Sequence, residues 1–157
     1  MNGGLDIQSG SPLNLGGNGG VLRAPGNDTT LNYFGDGIQL FHGNGRVQQG
    51  PEARWFNNAI CSTNVTINCF AQPGNLQFGN LGPNVISGPG YWNMSLSLFK
   101  QFKIGERLNV QLRGESFSVV NTPNWNNPDT NIGNSTFGYI TGAGGNRTVQ
   151  LGMKVSF

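Results

Sequence analysis

Cys61 and Cys69 are the side chains of this sequence best suited to covalent chemistry. They stand eight positions apart, and in an oxidising compartment such a pair favours a disulfide. A bridge that closes so short a loop stabilises the folded state by about 2–3 kcal/mol. Two free thiols are the alternative. We expect no zinc site, because the sole histidine, His42, is distant and the sequence has no second cysteine pair.

Two common sequence motifs, one for catalysis and one for nucleotide binding, are absent from the sequence. It contains neither a G-x-S-x-G nucleophile elbow nor a G-x-x-x-x-G-K-[ST] phosphate loop. Asn127, Asp129 and Asn131 have the spacing of calcium ligands. However, Gly133 comes one position late, and Gly138 stands where a bidentate glutamate is required. We therefore expect no catalytic residue, no metal and no cofactor.

Two pairs of side chains are candidates for binding. Arg113 and Glu115 are two positions apart, so in a strand they lie on the same face and can pair with each other or with neighbours. Trp55 and Trp125 lie among loop residues, where an indole ring can stack on a sugar or peptide ligand. The alternative is that the two indoles brace the loops.

The composition restricts the kind of fold that positions these residues. Asp, Glu, Lys and Arg are 10% of the 157 residues, against roughly 25% in soluble domains. The chain contains 26 Gly and 8 Pro. It also lacks the charged periodic runs that helical bundles need. A net charge of +2 gives no basic patch, so nucleic acid is not an expected partner. An all-β protein with long Gly/Asn-rich loops fits these values.

Three long runs in the last third alternate between apolar and polar residues, as two-faced strands do. From 91 to 104 the apolar residues hold the even positions, except that Phe99 and Lys100 exchange faces. After a short turn at 104–106 the apolar residues again hold the even positions. The run at 148–157 alternates between polar and apolar residues without a break. Earlier in the chain, alternate leucines and an isoleucine predict one short strand within 5–15.

The runs have the length of strands that cross a bilayer, which is roughly 9–11 residues against five or six in soluble sandwiches. Aromatic residues stand near the run ends, and the short turn at 104–106 is followed by a long connection at 119–146. Barrel strands alternate periplasmic turns with extracellular loops in this way. We predict an all-β fold, the antiparallel C-terminal strands of a transmembrane β-barrel in the cell outer membrane. Arg113 and Glu115 then face the lumen, and Lys100 faces outward near the interface.

On this interpretation residues 1–90 hold a strand end and a long extracellular loop region, and 91–157 hold three C-terminal barrel strands. The start of the sequence has no basic and apolar signal for export, so we expect the chain to be a fragment of a longer precursor. A soluble β-sandwich or solenoid with unusually long strands is the alternative.

Residues 78–84 and 87–100 resemble the C-terminal region of TonB-dependent outer-membrane receptors, and within these the Oar-like group with a carboxypeptidase-regulatory-like domain. The segments read F-G-N-L-G-P-N and S-G-P-G-Y-W-N-M-S-L-S-L-F-K. R-G-E-S-F at 113–117 is similar to the group's R-A-E-x-F-N pattern, and N-T-P-N-W at 121–125 is similar to the loop that follows it. Further similar segments are 8–12, 55–57, 137–141 and 147–157.

The resemblance implies a transport receptor with a barrel of about 22 strands, of which this chain supplies the last four or so. Its implied partners are outer-membrane lipid, the rest of the barrel and its plug, and, through the full-length protein, TonB and the barrel-assembly machinery. Phe157 resembles the terminal signal that this machinery recognises. The sequence has no plug domain or TonB box, so we expect no energy-coupled transport by this chain alone. A secreted Gly/Asn-rich adhesin or surface-binding module is the alternative function.

Overall fold

The structure is a computed structural model that describes residues 1–17, 30–41 and 54–157. The regular elements of these residues are all β-strands, which confirms the predicted all-β class. No helix in the described ranges has the length and apolar character of a membrane span. The strands are β1 (Asn2–Gln8), β2 (Pro12–Leu13), β3 (Asn32–Phe34), β4 (Cys69–Ala71), β5 (Ile86–Ser87), β6 (Tyr91–Ile104), β7 (Leu108–Phe117), β8 (Asn124–Trp125), β9 (Ala143–Gly144) and β10 (Thr148–Ser156).

The chain divides into two compact units. The first, called the sheet unit, comprises Met1–Ser9, Gly90–Trp125 and Ala143–Phe157. The second, called the loop unit, comprises Gly10–Pro89 and Asn126–Gly142. Strand β1 thus belongs with the long strands of the last third rather than with the loop residues that follow it.

Four antiparallel strands form the main sheet in the order β1-β6-β7-β10. Strands β6, β7 and β10 are the three long runs, so the strand predictions from alternation are confirmed. Ile104 still pairs with Leu108, so the connecting turn is 105–107, one residue later than the alternation indicated. Gly105 has a φ of 67°, a conformation that glycine adopts without steric cost, and this lets the chain reverse there.

The single strand predicted within 5–15 is two strands in the structure. β1 ends at Gln8 and pairs with β6, whereas β2 begins at Pro12 and pairs with β5. Between them the backbone of Gly10 runs so close to Gly88 that a Cβ there would lie 1.7 Å from the Gly88 carbonyl oxygen. Apolar alternation does not reveal such a break, because both segments keep the same phase.

The register of the sheet places nearly all its apolar residues on one side. Because directly paired residues of antiparallel strands share a face, the pairs Leu5–Met94, Phe102–Val110 and Val110–Val155 extend one apolar surface across the four strands. We call this side the apolar face and the other the polar face. The apolar face carries Gly3, Leu5, Ile7, Trp92, Met94, Leu96, Leu98, Lys100, Phe102, Ile104, Leu108, Val110, Leu112, Gly114, Ser116, Val149, Leu151, Met153 and Val155.

Both long connections of the sheet unit leave from the end opposite to the short turn. The last residue of β1, Gln8, pairs with the first of β6, Tyr91. The last residue of β7, Phe117, pairs with the first of β10, Thr148. One end of the sheet therefore carries the turn at 105–107 and the end of β10, and at the other end the chain leaves and re-enters the sheet through the two long connections.

The loop unit has a buried aromatic core. Phe56, Phe70 and Phe137 are at most 2% exposed, and their ring centroids lie 5.2–5.9 Å apart in edge-to-face arrangements. Tyr33 packs against Phe70 at 4.8 Å, and Leu31 is fully buried. Such pairs add to the stability that burial of the rings provides.

Asparagine side chains supply hydrogen bonds that a regular sheet would take from backbone. Asn80 accepts the Tyr33 N–H at 2.8 Å through Oδ1 and donates to the Tyr33 carbonyl at 2.9 Å through Nδ2, as a paired strand would. Asn57 donates to the Asn68 carbonyl, and Asn58 donates to the Phe137 carbonyl. These bonds satisfy buried backbone groups where only two or three residues form each strand.

Candidate functional site

The polar face of the sheet centres on Glu115. Its Oε1 accepts hydrogen bonds from Arg113 Nη2 at 2.5 Å and from Ser97 Oγ at 3.2 Å. Ser97 is the direct neighbour of Glu115 on β6, and Gln150 is its neighbour on β10. Arg113 and Glu115 thus share a face and pair with each other in the structure. The sequence interpretation named both residues but did not identify Ser97, because the register between β6 and β7 is not visible in the chain order.

Arg113 keeps hydrogen-bonding capacity beyond this ion pair. Its side chain is 61% exposed, whereas that of Glu115 is 20% exposed. A guanidinium has five N–H donors, and Glu115 takes only part of them. Arg113, with Asn2, Ser97, Phe99 and Gln111, lines a recess of about 250 Å³ on the polar face. This arrangement can bind polar or anionic groups from water.

The apolar face has the opposite character. Leu98, Leu151 and Met153 are 59%, 87% and 69% exposed, although they lie in the middle of long regular strands. Soluble proteins rarely expose so large a continuous apolar surface to water. The face therefore requires an apolar surrounding, whereas the polar face requires water or polar side chains.

Lys100 interrupts the apolar face, as the exchange of positions with Phe99 predicts. It pairs with Leu112 across β7, so it shares the face of the apolar residues. Its Nζ lies 5.2 Å from the centroid of the Phe102 ring. Phe157 follows directly after β10 and is fully exposed.

The two tryptophans differ in their surroundings. Trp55 is 6% exposed and donates its indole N–H to the Ser87 carbonyl at 2.7 Å. It is therefore held inside the loop unit, which favours the bracing role over contact with a ligand. Trp125 is half-buried in β8, where it pairs with Ala143 of β9.

Cys61 and Cys69 are joined by a disulfide in the loop unit. Cys69 is completely buried next to Phe70 on β4, and the loop between the cysteines carries Val65 and Ile67 on its exposed side. Ser62 and Val65 exchange backbone hydrogen bonds inside this loop. The bridge therefore anchors a short surface loop directly to the aromatic core.

Asp129 organises the turn that leads to Phe137. One carboxylate oxygen accepts the Asn131 N–H, and the other accepts hydrogen bonds from Asn134 Nδ2 and Thr136 Oγ1. Desolvation is the largest influence on the pKa of Asp129 and raises it, but the hydrogen bonds from Thr136, Asn131 and Asn134 together hold the pKa below its ordinary value. Both oxygens are thus engaged by groups of the chain.

The loop unit holds one tyrosine with a shifted pKa and no cluster of metal-ligating side chains among its described residues. Burial, followed by the charge of Asp36, raises the pKa of Tyr33, whose hydroxyl donates to the Gly37 carbonyl at 2.8 Å. Within the ranges that the structure describes, no three His, Cys, Asp or Glu side chains come together as metal ligands. His42 lies outside the described residues.

Sequence reasoning missed the core of the loop unit. It interpreted residues 1–90 as a strand end and a long loop region, whereas Leu31, Phe56 and Phe70 form a close-packed interior with Phe137. The aromatic residues are too widely spaced, among Gly and Asn, to show any helical or strand period. The one available signal was the pair of cysteines, because a disulfide commonly accompanies a small core.

Comparison with known proteins gives one finding, which covers most of the chain. A family model described as "Outer membrane beta barrel domain" matches residues 1–150. The matched range includes residues of both units and the first three residues of β10. Neither a curated protein nor a solved structure matches the chain.

Proposed function

Because this chain belongs to the outer membrane beta barrel domain family, we propose that it is the C-terminal part of the wall and loops of a TonB-dependent receptor or transporter. The protein is located in the outer membrane. The family does not specify what such a barrel binds or transports. The two faces of the sheet and the sequence motifs support the function of receptor.

The division of the sheet into two faces carries the proposal. All four strands place Leu, Val, Ile, Met and Phe side chains on one face, and Glu115, Arg113 and their polar neighbours on the other. Transmembrane barrel strands have lipid-facing and lumen-facing residues in this alternation. On this proposal, the apolar face contacts outer-membrane lipid, and the recess beside Arg113 faces a water-filled lumen.

The edges of the sheet support a role as part of a larger wall. β1 and β10 each pair on one side within the four-stranded sheet. Their remaining backbone N–H and C=O groups need partners, because lipid offers no hydrogen bonds. We propose that further strands of the barrel supply these partners and close the wall.

The TonB-dependent role is supported by the motifs at 78–100, 113–117 and 121–125, which resemble those of the Oar-like group. On this proposal a plug and TonB act through the full-length protein, the barrel-assembly machinery recognises Phe157, and the loop unit contacts ligand outside the cell. The chain itself catalyses no reaction and needs no cofactor. The family match favours this function over a secreted adhesin.

Retention on TonB tests the proposal. The assembled barrel is extracted from outer membranes in detergent and passed over immobilised periplasmic domain of TonB. We expect retention that free TonB domain competes away, because TonB-dependent receptors contact TonB directly. A matched column with an unrelated periplasmic domain is the control. Passage through both columns would contradict a TonB-dependent role and leave a barrel with a surface-binding loop unit.

A further inference from the structure

Lys100 is the only charged side chain on the apolar face of the sheet unit, all of whose residues the structure describes. Lys100 pairs with Leu112 of β7, which in turn pairs with Met153 of β10. The neighbours of Lys100 along β6 on the same face are Leu98 and Phe102. A lone charge surrounded by lipid-facing residues is costly unless it meets a counter-charge or water. The position therefore calls for an anionic group that reaches this part of the face.

The side chain of Lys100 extends toward the end of the sheet that carries the short turn. Its Nζ lies over the ring of Phe102, which is two positions closer to that turn. Lys100 is four residues from the end of β6 at Ile104, which is about 13 Å along the strand and about 10 Å along the membrane normal for a tilted strand. A lysine that bends in this direction brings its ammonium closer to the lipid phosphates of that leaflet.

A groove lies on the other side of Lys100, away from the turn. It measures about 530 Å³ and is lined on the apolar face by Leu98, Lys100, Leu112, Gly114 and Leu151. The groove exists because Gly114 stands between Leu98 and Leu151 in one row and has no side chain. A Cβ at Gly114 would lie 3.5 Å from Leu151 Cδ2, an ordinary contact, so the site has room for added carbon atoms.

We propose that Lys100 and this groove hold one anionic phospholipid of the leaflet at the short-turn end, of the phosphatidylglycerol type. Its phosphate pairs with the Lys100 ammonium, and one acyl chain runs toward the membrane centre through the groove over Gly114. The headgroup and the chain of a phospholipid are arranged in the same order along the membrane normal as the cation and the groove. A peptide carboxylate fits less well, because its backbone would bring unpaired polar groups onto an apolar surface. The inference rests on the proposed role of this sheet as barrel wall.

Fluorescence quenching by brominated lipids tests the inference. The assembled barrel is reconstituted into phosphatidylcholine vesicles that contain phosphatidylglycerol, with bromine on the acyl chains of one lipid or the other. Phe102→Trp places a reporter next to Lys100, and its signal is the difference from the parent protein. Tryptophan also preserves the ring under the ammonium. At equal mole fraction we expect brominated phosphatidylglycerol to quench about five-fold more effectively, the preference typical of one basic side chain at an anionic surface.

Three variants of the Phe102→Trp protein test the charge of Lys100, a control charge on the polar face, and the groove. Lys100→Gln should reduce the ratio of quenching by brominated phosphatidylglycerol to quenching by brominated phosphatidylcholine to about one. Lys103→Gln removes the same charge three residues along the same strand but on the polar face, and it should preserve the preference. Gly114→Leu fills the groove while Lys100 remains, and it should lower the preference by displacing the acyl chain.

Equal quenching by both lipids in the Phe102→Trp protein with Lys100 intact would overturn the inference while leaving the barrel wall intact. An equal loss in Lys100→Gln and Lys103→Gln would overturn the assignment to Lys100. An unchanged preference in Gly114→Leu would overturn the part assigned to the groove. Absence of quenching by either lipid would show that the face does not meet lipid, and would contradict the proposed function itself.

Discussion

The sheet unit and the loop unit arrange their apolar residues in opposite ways. In the sheet unit Leu98 and Leu151 point outward and stay exposed, and the polar residues share the other face. In the loop unit Phe56 and Phe70 are fully buried, and side-chain amides complete the hydrogen bonds around them. One chain therefore combines a surface suited to lipid with an interior of the kind found in water-soluble proteins. A residue's apolar character alone does not tell which of the two it serves.

The largest effect that would sharpen this comparison is expected at Phe70. Phe70→Ala removes a fully buried ring that contacts three other aromatic rings, so the loop unit should lose about 3–5 kcal/mol. Amide hydrogen exchange of residues 54–72 in the assembled protein measures the loss, and exchange in β7 should not change. Phe78→Ala, at a ring that is 67% exposed, is the control and should cost less than about 0.5 kcal/mol. Equal effects of the two variants would contradict a core centred on Phe70.

The next effect concerns the apolar face. Leu151→Arg places a charge on that face in the middle of β10, and it should cost about 2–4 kcal/mol of folding free energy in vesicles. Gln150→Arg introduces the same charge one residue away on the polar face, and it should cost much less. Urea titration of the vesicle-bound barrel measures both. An equal loss of folding free energy in Gln150→Arg and Leu151→Arg would contradict the assignment of the apolar face to lipid.

The smallest effect is the pH dependence of the turn at Asp129. Because the pKa of Asp129 in the folded protein lies below its ordinary value of 3.8, the carboxylate stabilises the turn fully above the unfolded-state pKa. This stabilisation is lost as the pH falls through the lower, folded pKa. Hydrogen exchange of 129–139, corrected for intrinsic rates, should show protection falling in that acidic range.

Asp129→Asn should remove this pH dependence and reduce protection at neutral pH by about 1–3 kcal/mol. Asp36→Asn, at an exposed carboxylate of the same unit, is the control and should leave the exchange of 129–139 unchanged. Retention of the acidic transition in Asp129→Asn would show that another group is responsible.

The two units also differ in how far the sequence predicted them. Long strands such as β6 and β10 show a period of two, because every second residue faces the same surrounding. The faces of Lys100 and Arg113 could therefore be predicted from their positions alone. The start of the turn at Gly105 was displaced by one residue because the ladder continues through Ile104.

The loop unit could not be predicted in the same way. Its strands have two or three residues, which is too short for a period, and its packing joins residues as distant as Phe56 and Phe137. Asn80 illustrates the difficulty, because its side chain replaces a backbone partner of Tyr33 and no local pattern indicates this. The burial of Trp55 also depends on a distant contact, the hydrogen bond to Ser87. Such contacts are properties of the folded unit rather than of any segment.

The central claim is that the two faces of the sheet meet lipid and water respectively, and cysteine labelling along β10 tests it most directly. Single cysteines replace residues 149 to 154 in turn, and a water-soluble maleimide is applied to outer-membrane vesicles made permeable to small molecules. Cys61 and Cys69 remain joined and unreactive. We predict fast labelling at Gln150, Gly152 and Lys154, and slow labelling at Val149, Leu151 and Met153. Equal labelling rates at all six positions would contradict the claim.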